Sequence, residues 1–406
     1  MLRIPPRALY AAFDRFPSRK GAAIHIDRFA RTLFAASGGG LLYVLGGEGL
    51  PAYQHEGAIE IVRFSLPVEN YLARALAFGA SLEPLLDEAG SELALCHFRD
   101  PWAGVPIVSR PHRYACVYEV NGLPSIELPQ VYPDLDTRTL DKIRADEQLC
   151  WTVADRVITP AATIAQNLVR LGCPAAKIVT IPNGADIRPR PPRAPDMPAS
   201  YILYLGALQP WQGFEVLLRA FGRLGDFPDL RLVVCVSHAS RAMVRYQRMA
   251  ENLGLAERMV WRTALEETEL APIRAHALVS VAPLRECVRN LSQGCAPLKI
   301  LESMADGVAV VASDLPAVRE LITDGHDGRL VPADRPADLA RALRILLEYP
   351  ELRERLGTNA RTTVENRLTW DLSLRRLRDE VYGELLGKGN YLETGNTAVQ
   401  RFAPGA

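Results

Sequence analysis

The sequence predicts an α/β protein of two doubly wound domains facing each other across a central cleft, and three observations carry that prediction. Short β-like apolar runs alternate with amphipathic helical stretches along most of the chain, the pattern of parallel sheets covered by crossover helices. A proline-dense stretch, residues 188–198, breaks the alternation once, and proline at that density continues neither a helix nor a central strand. At 406 residues, 48% of them apolar, the chain exceeds what one core organises and supplies material for two.

Taken in order, the first domain is expected over residues 1–187. Its strands are RALYAAF, GLLYVL, AIEIVRF, ELALCHF, ACVYEV, RVITP and KIVTIP. Helices over 23–36, 71–89, 140–154 and 162–171 are each long enough for a right-handed crossover back onto the sheet. The linker takes 188–198. The second domain, 199–368, restarts with YILYLG, RLVVCVS, RMVWRT, ALVSVAP, GVAVVAS and GRLVP. Its helices include 213–224, 298–305, 336–349 and 351–366. A helical segment over 369–388 is expected to cross back to domain one, and the Gly-, Thr- and Asn-rich residues 389–406 to form a disordered tail. Open α/β folds bind ligands at the carboxyl ends of their strands, so function is sought in the cleft.

Forty-seven basic residues balance forty-seven acidic ones, which removes a global field for nucleic acid. The seven cysteines are odd in number and form no C-x-x-C pair, and so read as reduced core thiols. No apolar run is long enough to span a bilayer and the N-terminus lacks signal-peptide features, so a cytoplasmic protein is expected. Arg3, Arg7, Arg15 and Arg19 beside Phe13 and Phe16 give a modest anionic-surface signal for peripheral contact at the inner face of a membrane, with a solvated face as the plainer reading. The histidines show no ligand spacing with one another or with cysteine, so neither metal nor other cofactor is expected.

Three loops could carry phosphate chemistry. Residues 18–23, ending in Gly21-Ala22-Ala23, bring backbone N–H groups to a helix start. Residues 205–214 include Gly206, Gln212 and Gly213, with Gly213 opening a helix whose positive end faces the cleft. Both are also what an ordinary βα turn needs. The most specific is Gly294-Cys295-Ala296-Pro297-Leu298-Lys299-Ile300-Leu301-Glu302. A helix starting near Pro297 places Lys299 and Glu302 on one face, the lysine to neutralise phosphate and the glutamate to accept from ribose hydroxyls. An exposed ion pair is the bland alternative.

Here the chain resembles the retaining GT-B glycosyltransferases of glycosyltransferase family 4. The likeness runs through the Gly21 loop, Val157-Ile158-Thr159-Pro160, Ile181-Pro182-Asn183-Gly184-Ala185-Asp186, the Gly206 to Gly213 stretch, Gly294 to Gly307, and Glu320 through Pro332. It implies a GT-B fold of two Rossmann-like domains and a hexosyltransferase of cell-surface polysaccharide or glycoconjugate synthesis. The implied partners are a nucleotide diphosphate sugar and a glycan, lipid-linked or small-molecule acceptor. Gly21, Gly206, Gln212, Gly213, Thr263, Lys299, Glu302 and residues 294–298 are then the donor-binding set. Members usually carry Arg and Lys where Ala207 and Gln212 stand, and a first glutamate where Gly294 stands; a Pro-Leu-Lys element in some members matches Pro297-Leu298-Lys299. Many keep a histidine where Asn121 stands. Asn121, Lys299, His97 and Glu119 are the catalytic candidates, with Asp100 and Glu127 as further proton acceptors, although front-face transfer with retention needs no protein base. The departures at Ala207, Gln212, Gly294 and Asn121 leave a catalytically impaired binding or scaffold protein as one alternative, and 2-epimerisation of a nucleotide sugar as another.

Overall fold

The computed structural model describes residues 7–18, 21–89 and 92–387. The expectations for Arg3, Arg19 and the tail fall outside these residues. Eight strands form the first sheet: β1 (Ala8–Arg15), β2 (Gly40–Leu45), β3 (Tyr53–Glu56), β4 (Ile59–Phe64), β5 (Leu95–Phe98), β6 (Ala115–Glu119), β7 (Arg156–Thr159) and β8 (Ile178–Thr180). Their order is β3-β4-β2-β1-β5-β6-β7-β8, parallel throughout except for the β3–β4 pair. From Ala8 to Phe13 every residue of β1 is buried, as a strand covered on both faces requires.

The second sheet holds β9 (Tyr201–Leu205), β10 (Arg231–Val236), β11 (Met259–Thr263), β12 (Val279–Ala282), β13 (Val310–Ser313) and β14 (Arg329–Val331). Its order is β11-β10-β9-β12-β13-β14 and all pairs are parallel. In each sheet the winding direction reverses beside the first strand, between β1 and β5 and between β9 and β12, and such switch points open crevices at the strand ends. These two crevices face each other.

The structure departs from the sequence reading in several places. Strand β3 was not expected because Tyr53-Gln54-His55-Glu56 has no apolar run; as an edge strand it pairs only with β4 and needs none. The helices Pro101–Val108 and Pro124–Val131 were also missed, each having an internal proline, yet a proline at the first position is tolerated there. The helix expected from residue 140 begins at Thr137, because the Asp136 carboxylate accepts from the Thr139 N–H and caps it. Phe13 and Phe16 are 8% and 3% exposed, which corrects their reading as part of a surface patch for membrane contact: both are core residues. Among the described residues no helix is long and apolar enough to cross a membrane.

After domain two, the helix Trp370–Arg376 runs into a π-helical turn, Leu377–Tyr382, and a short helix Gly383–Leu386. Trp370, Leu377, Val381 and Tyr382 are buried with Tyr10, Ile26 and Phe29 in a core cluster of domain one. The domains also meet through polar contacts. Glu320 of domain two accepts from the backbone N–H groups of Ala162 and Thr163 at 2.7 Å each, and from the Thr163 hydroxyl. It thus supplies the cap that Ala161 does not give the helix Ala162–Arg170. Asn183 and Asn167 donate to the Ala296 and Leu291 carbonyls.

Candidate functional site

A cleft of about 900 Å³ lies between the two sheets, lined from both domains. On the domain-two side β9 ends at Leu205, and Gly206, Ala207, Gln209 and Gln212 continue the wall. Gly213 has a left-handed φ of 68°, and a Cβ there would stand 1.8 Å from the Pro283 carbonyl oxygen. Backbone and space both demand glycine. Gly213 packs against Pro283 behind the wall, and Thr263 ends β11 two residues before Leu265, which does reach the cleft.

The helix Leu298–Ala305 carries Lys299 and Glu302 one turn apart, and both line the cleft with Cys295, Ala296, Pro297 and Leu298. Lys299 is half-buried; its Nζ donates to the Gln212 side-chain oxygen and lies 4.9 Å from the Tyr204 ring centroid. Burial, with Arg289 nearby, lowers its ammonium from 10.5 to about 7. Burial raises the Glu302 carboxyl, an effect that Arg274 opposes. Arg274 is itself buried and paired with Asp306 at 2.5 Å and Glu267 at 3.0 Å. Gly294, at φ 95°, would place a Cβ 2.9 Å from Ile164 Cγ1 of domain one. The close approach of the domains leaves no room for a side chain at that position.

On the domain-one side Gly21 opens the helix Gly21–Ser37, and a Cβ on it would come within 3.0 Å of Leu298. One helical turn later His25, 4% exposed, reaches the cleft. Arg99 and Asp100 follow β5 and Asn121 follows β6, all on the cleft surface. Both Asp100 oxygens are engaged, one by the Phe13 N–H and the other by the Ala103 N–H, and burial pushes its carboxyl up to about 6. Glu127 accepts from Arg289 and Gln293 across the domain boundary.

His97 and Glu119 are 0% and 1% exposed. The expectation that they touch reacting groups is corrected accordingly: they lie beneath the cleft floor. Glu119 accepts from Tyr10 at 2.7 Å, from Arg99 at 3.0 Å and from Asn121, with His25 Nδ1 at 3.3 Å. Burial would raise its carboxyl, but Arg99 and the two histidines hold it well below the usual range. Because this carboxylate only accepts, His97 donates through Nε2 at 3.1 Å, and its Nδ1 accepts from the Tyr382 hydroxyl at 2.7 Å. Burial lowers the imidazole pKa and so favours this neutral form. Glu119 therefore fixes two groups that do face the cleft, Arg99 and Asn121, and lies against a third, His25.

Sequence reasoning missed His25, Arg99 and Arg289. For His25 a signal existed, since it stands four residues after Gly21 and so on the same helix face. Among the described residues no group of three His, Cys, Asp or Glu side chains is arranged to hold a metal ion.

Two family models match adjacent parts of the chain: Glycosyltransferase Family 4 over residues 19–188, and Glycosyl transferases group 1 over 189–363. A D-inositol 3-phosphate glycosyltransferase from Streptosporangium roseum is 30% identical over 305 residues, 71% of this chain and 66% of that protein. A phosphatidyl-myo-inositol mannosyltransferase from Mycobacterium tuberculosis is 32% identical over 229 residues, 52% of this chain and 55% of that one. The chain thus spans between about half and two thirds of the length of these curated relatives. Among solved structures, sucrose-phosphate synthase from Thermosynechococcus elongatus superposes with a TM-score of 0.77 at 18% identity, covering 94% of this chain and all of that one. Anabaena Alr3699/HepE in complex with UDP and glucose gives 0.72 at 17% identity, with 93% and 100% covered.

Proposed function

The chain belongs to the group 1 glycosyltransferases of the GT-B fold, and on that premise we propose that it transfers a hexosyl unit from a nucleotide diphosphate sugar to an acceptor hydroxyl with retention of configuration. The observation that carries this reading is the convergence of the Gly21 helix start, Lys299 and Glu302 on one cleft at two facing switch points. In this scheme Glu302 accepts from the ribose hydroxyls, and Lys299 with the backbone at Gly21 receives the diphosphate. Charge develops on the leaving diphosphate as the glycosidic bond breaks, and fixed donors at that place lower the barrier. The acceptor proton passes to the leaving phosphate on the same face, so no protein base is invoked and no metal ion enters the scheme. Asn121, held by Glu119, hydrogen-bonds the transferred sugar or the acceptor.

A solved neighbour is named as a complex with UDP and glucose, which supports a UDP-linked donor as the first to test. Unpaired thiols at all seven cysteines support a reducing, cytoplasmic setting, and a role in cell-surface polysaccharide or glycoconjugate synthesis belongs to the same proposal. The test is a thermal-shift series with UDP, GDP, ADP and their sugar conjugates, followed by product analysis with the donor that binds. Stabilisation by one nucleotide series is expected, and its loss in Glu302→Ala. The tight space at Gly294 favours a second reading, a binding protein without transfer, because a glutamate there would need Ile164 to shift and a left-handed backbone to be accommodated. Donor-induced stabilisation without turnover on any acceptor would select it.

A further inference from the structure

Resting on the transferase reading above, we infer that Arg274 is a positioning residue for the donor: from behind the cleft wall it sets the Glu302 carboxylate to accept from the ribose hydroxyls. Arg274 stands in the last turn of the helix Glu267–Ala275 and is 4% exposed. Its guanidinium forks between two helices, Nε donating to Asp306 at 2.5 Å and a terminal nitrogen to Glu267 at 3.0 Å. Asp306 closes the helix Leu298–Ala305 four residues after Glu302, and its N–H donates to the Glu302 carbonyl at 3.2 Å. The two carboxylates therefore leave one helix face a turn apart. Glu302 and Glu267 line the cleft, and Arg274 lies behind them.

Three carboxylates thus surround one buried guanidinium. The charged groups facing Glu302 are Arg274 and Glu267 from the helix Glu267–Ala275, Asp306 from its own helix and Arg188 from the linker, while Lys299, one turn earlier, is turned to Gln212. Burial raises the Glu302 carboxyl, and Arg274 is the strongest force against that, with Glu267 and Asp306 adding to the rise. The effect is mutual. Burial works against the charge on Arg274, and Glu302 leads Asp306 and Glu267 in holding it on. Arg188 is divided between Asp186 at 2.8 Å and Glu267 at 3.0 Å with its side chain 35% exposed, so solvent screens it. A Glu302 left without Arg274 would take a proton, turning one of its two acceptor oxygens into a donor and losing the charge that strengthens bonds from a vicinal diol. The cluster is anchored from outside as well. Asp186 accepts from Arg28, on the helix that Gly21 opens, at 2.7 and 2.9 Å, and Arg361 donates to the carbonyls of Arg188 and Ala305 at 3.1 and 2.9 Å. Ion pairs run in this way from domain one through the linker to Arg274.

The test is calorimetric titration of the full-length protein with UDP, GDP and ADP, each beside its 2′,3′-dideoxy form. The wild type is expected to bind one ribonucleotide at least about tenfold more tightly than its dideoxy counterpart, since hydrogen bonds to a charged group are lost with the hydroxyls. Arg274→Met should weaken the ribonucleotide about tenfold while leaving the dideoxy form within about twofold, and Glu302→Ala added to it should cost nothing further, because the two side chains act as one unit. Arg274→Lys keeps a charge in the cluster and spares the fold, but cannot fork between Asp306 and Glu267, so an intermediate preference for the ribonucleotide is expected. Equal weakening of both forms in either variant marks a purely structural role and overturns the inference, as does a wild-type preference that survives in Arg274→Lys undiminished. A preference that disappears in Glu302→Ala but not in the Arg274 variants removes the inference and leaves the donor site standing; a wild type that binds none of the nucleotides removes both.

Discussion

Donor binding should draw a proton onto Lys299. In the empty cleft burial holds its ammonium at about 7, against 10.5 for an exposed lysine. At pH 8.5 only about 3% of the free protein carries that proton. A diphosphate beside Nζ favours the charged form, so binding of a nucleotide sugar at this pH should take up close to one proton per site. The nucleotide sugar has no phosphate that titrates nearby, which makes it a cleaner probe than the free diphosphate. Calorimetric titration in two buffers of different ionisation enthalpy gives the number directly. Affinity should fall about 50-fold between pH 7 and pH 9 through this group alone, and Lys299→Met should abolish both the uptake and that dependence while weakening binding at pH 7. The same shift sets the sign for the unliganded protein. Because the folded pKa is lowered, the unfolded chain binds the extra proton between pH 7 and 10.5; stability carries the full penalty below pH 7 and recovers as pH rises through that window. Uptake below about 0.3 proton at pH 8.5 with binding intact, or an unchanged pH dependence in Lys299→Met, would refute the placement of the diphosphate at Lys299.

Two further outcomes follow from the geometry. Gly213→Ala meets both a left-handed backbone and the Pro283 carbonyl at 1.8 Å, so it should cost more than about 1 kcal/mol and lower the melting temperature by at least about 2 °C; an unchanged melting curve would contradict the packing described. Glu320→Ala removes the cap that domain two supplies to Ala162 and Thr163; a loss of about 1 kcal/mol is expected, with a larger radius of gyration by small-angle scattering as the domains part, and an unaltered scattering profile would argue against a clasp.

What the sequence made legible is what repeats along the chain. Apolar runs such as YILYL and RLVVCV are long enough to mark central strands without tertiary information, and the spacing of Lys299 and Glu302 already sets both on one helix face. Strand β3 was invisible because its partner alone makes it a strand, and Tyr53-Gln54-His55-Glu56 has no pattern of its own. The site was half legible for the same reason. Glu119 could be picked out as a chemically competent residue, but its partners Tyr10, His25, and His97 with Arg99 come from three other parts of the chain. Only the fold shows that their assembly buries the carboxylate and hands the cleft surface to Asn121, His25 and Arg99. Gly294 reads as a lost residue in sequence, whereas in three dimensions it is the point where Ile164 excludes a side chain.

The return of the chain from domain two to domain one has a consequence for how the protein is made. Tyr382 closes the hydrogen-bond series onto His97, and Trp370, Leu377 and Val381 fill one face of the first sheet's core. A ribosome delivers residues 7 to 187 long before these four side chains exist, and domains generally fold as they emerge. Domain one must therefore wait with an apolar groove open beside Tyr10 and Phe29, and with His97 lacking its Nδ1 partner, while the whole of domain two is translated. The nascent N-terminal half is thus the species in which exposed surface and chaperone demand should be greatest, and its completion becomes a report that the second half has been synthesised.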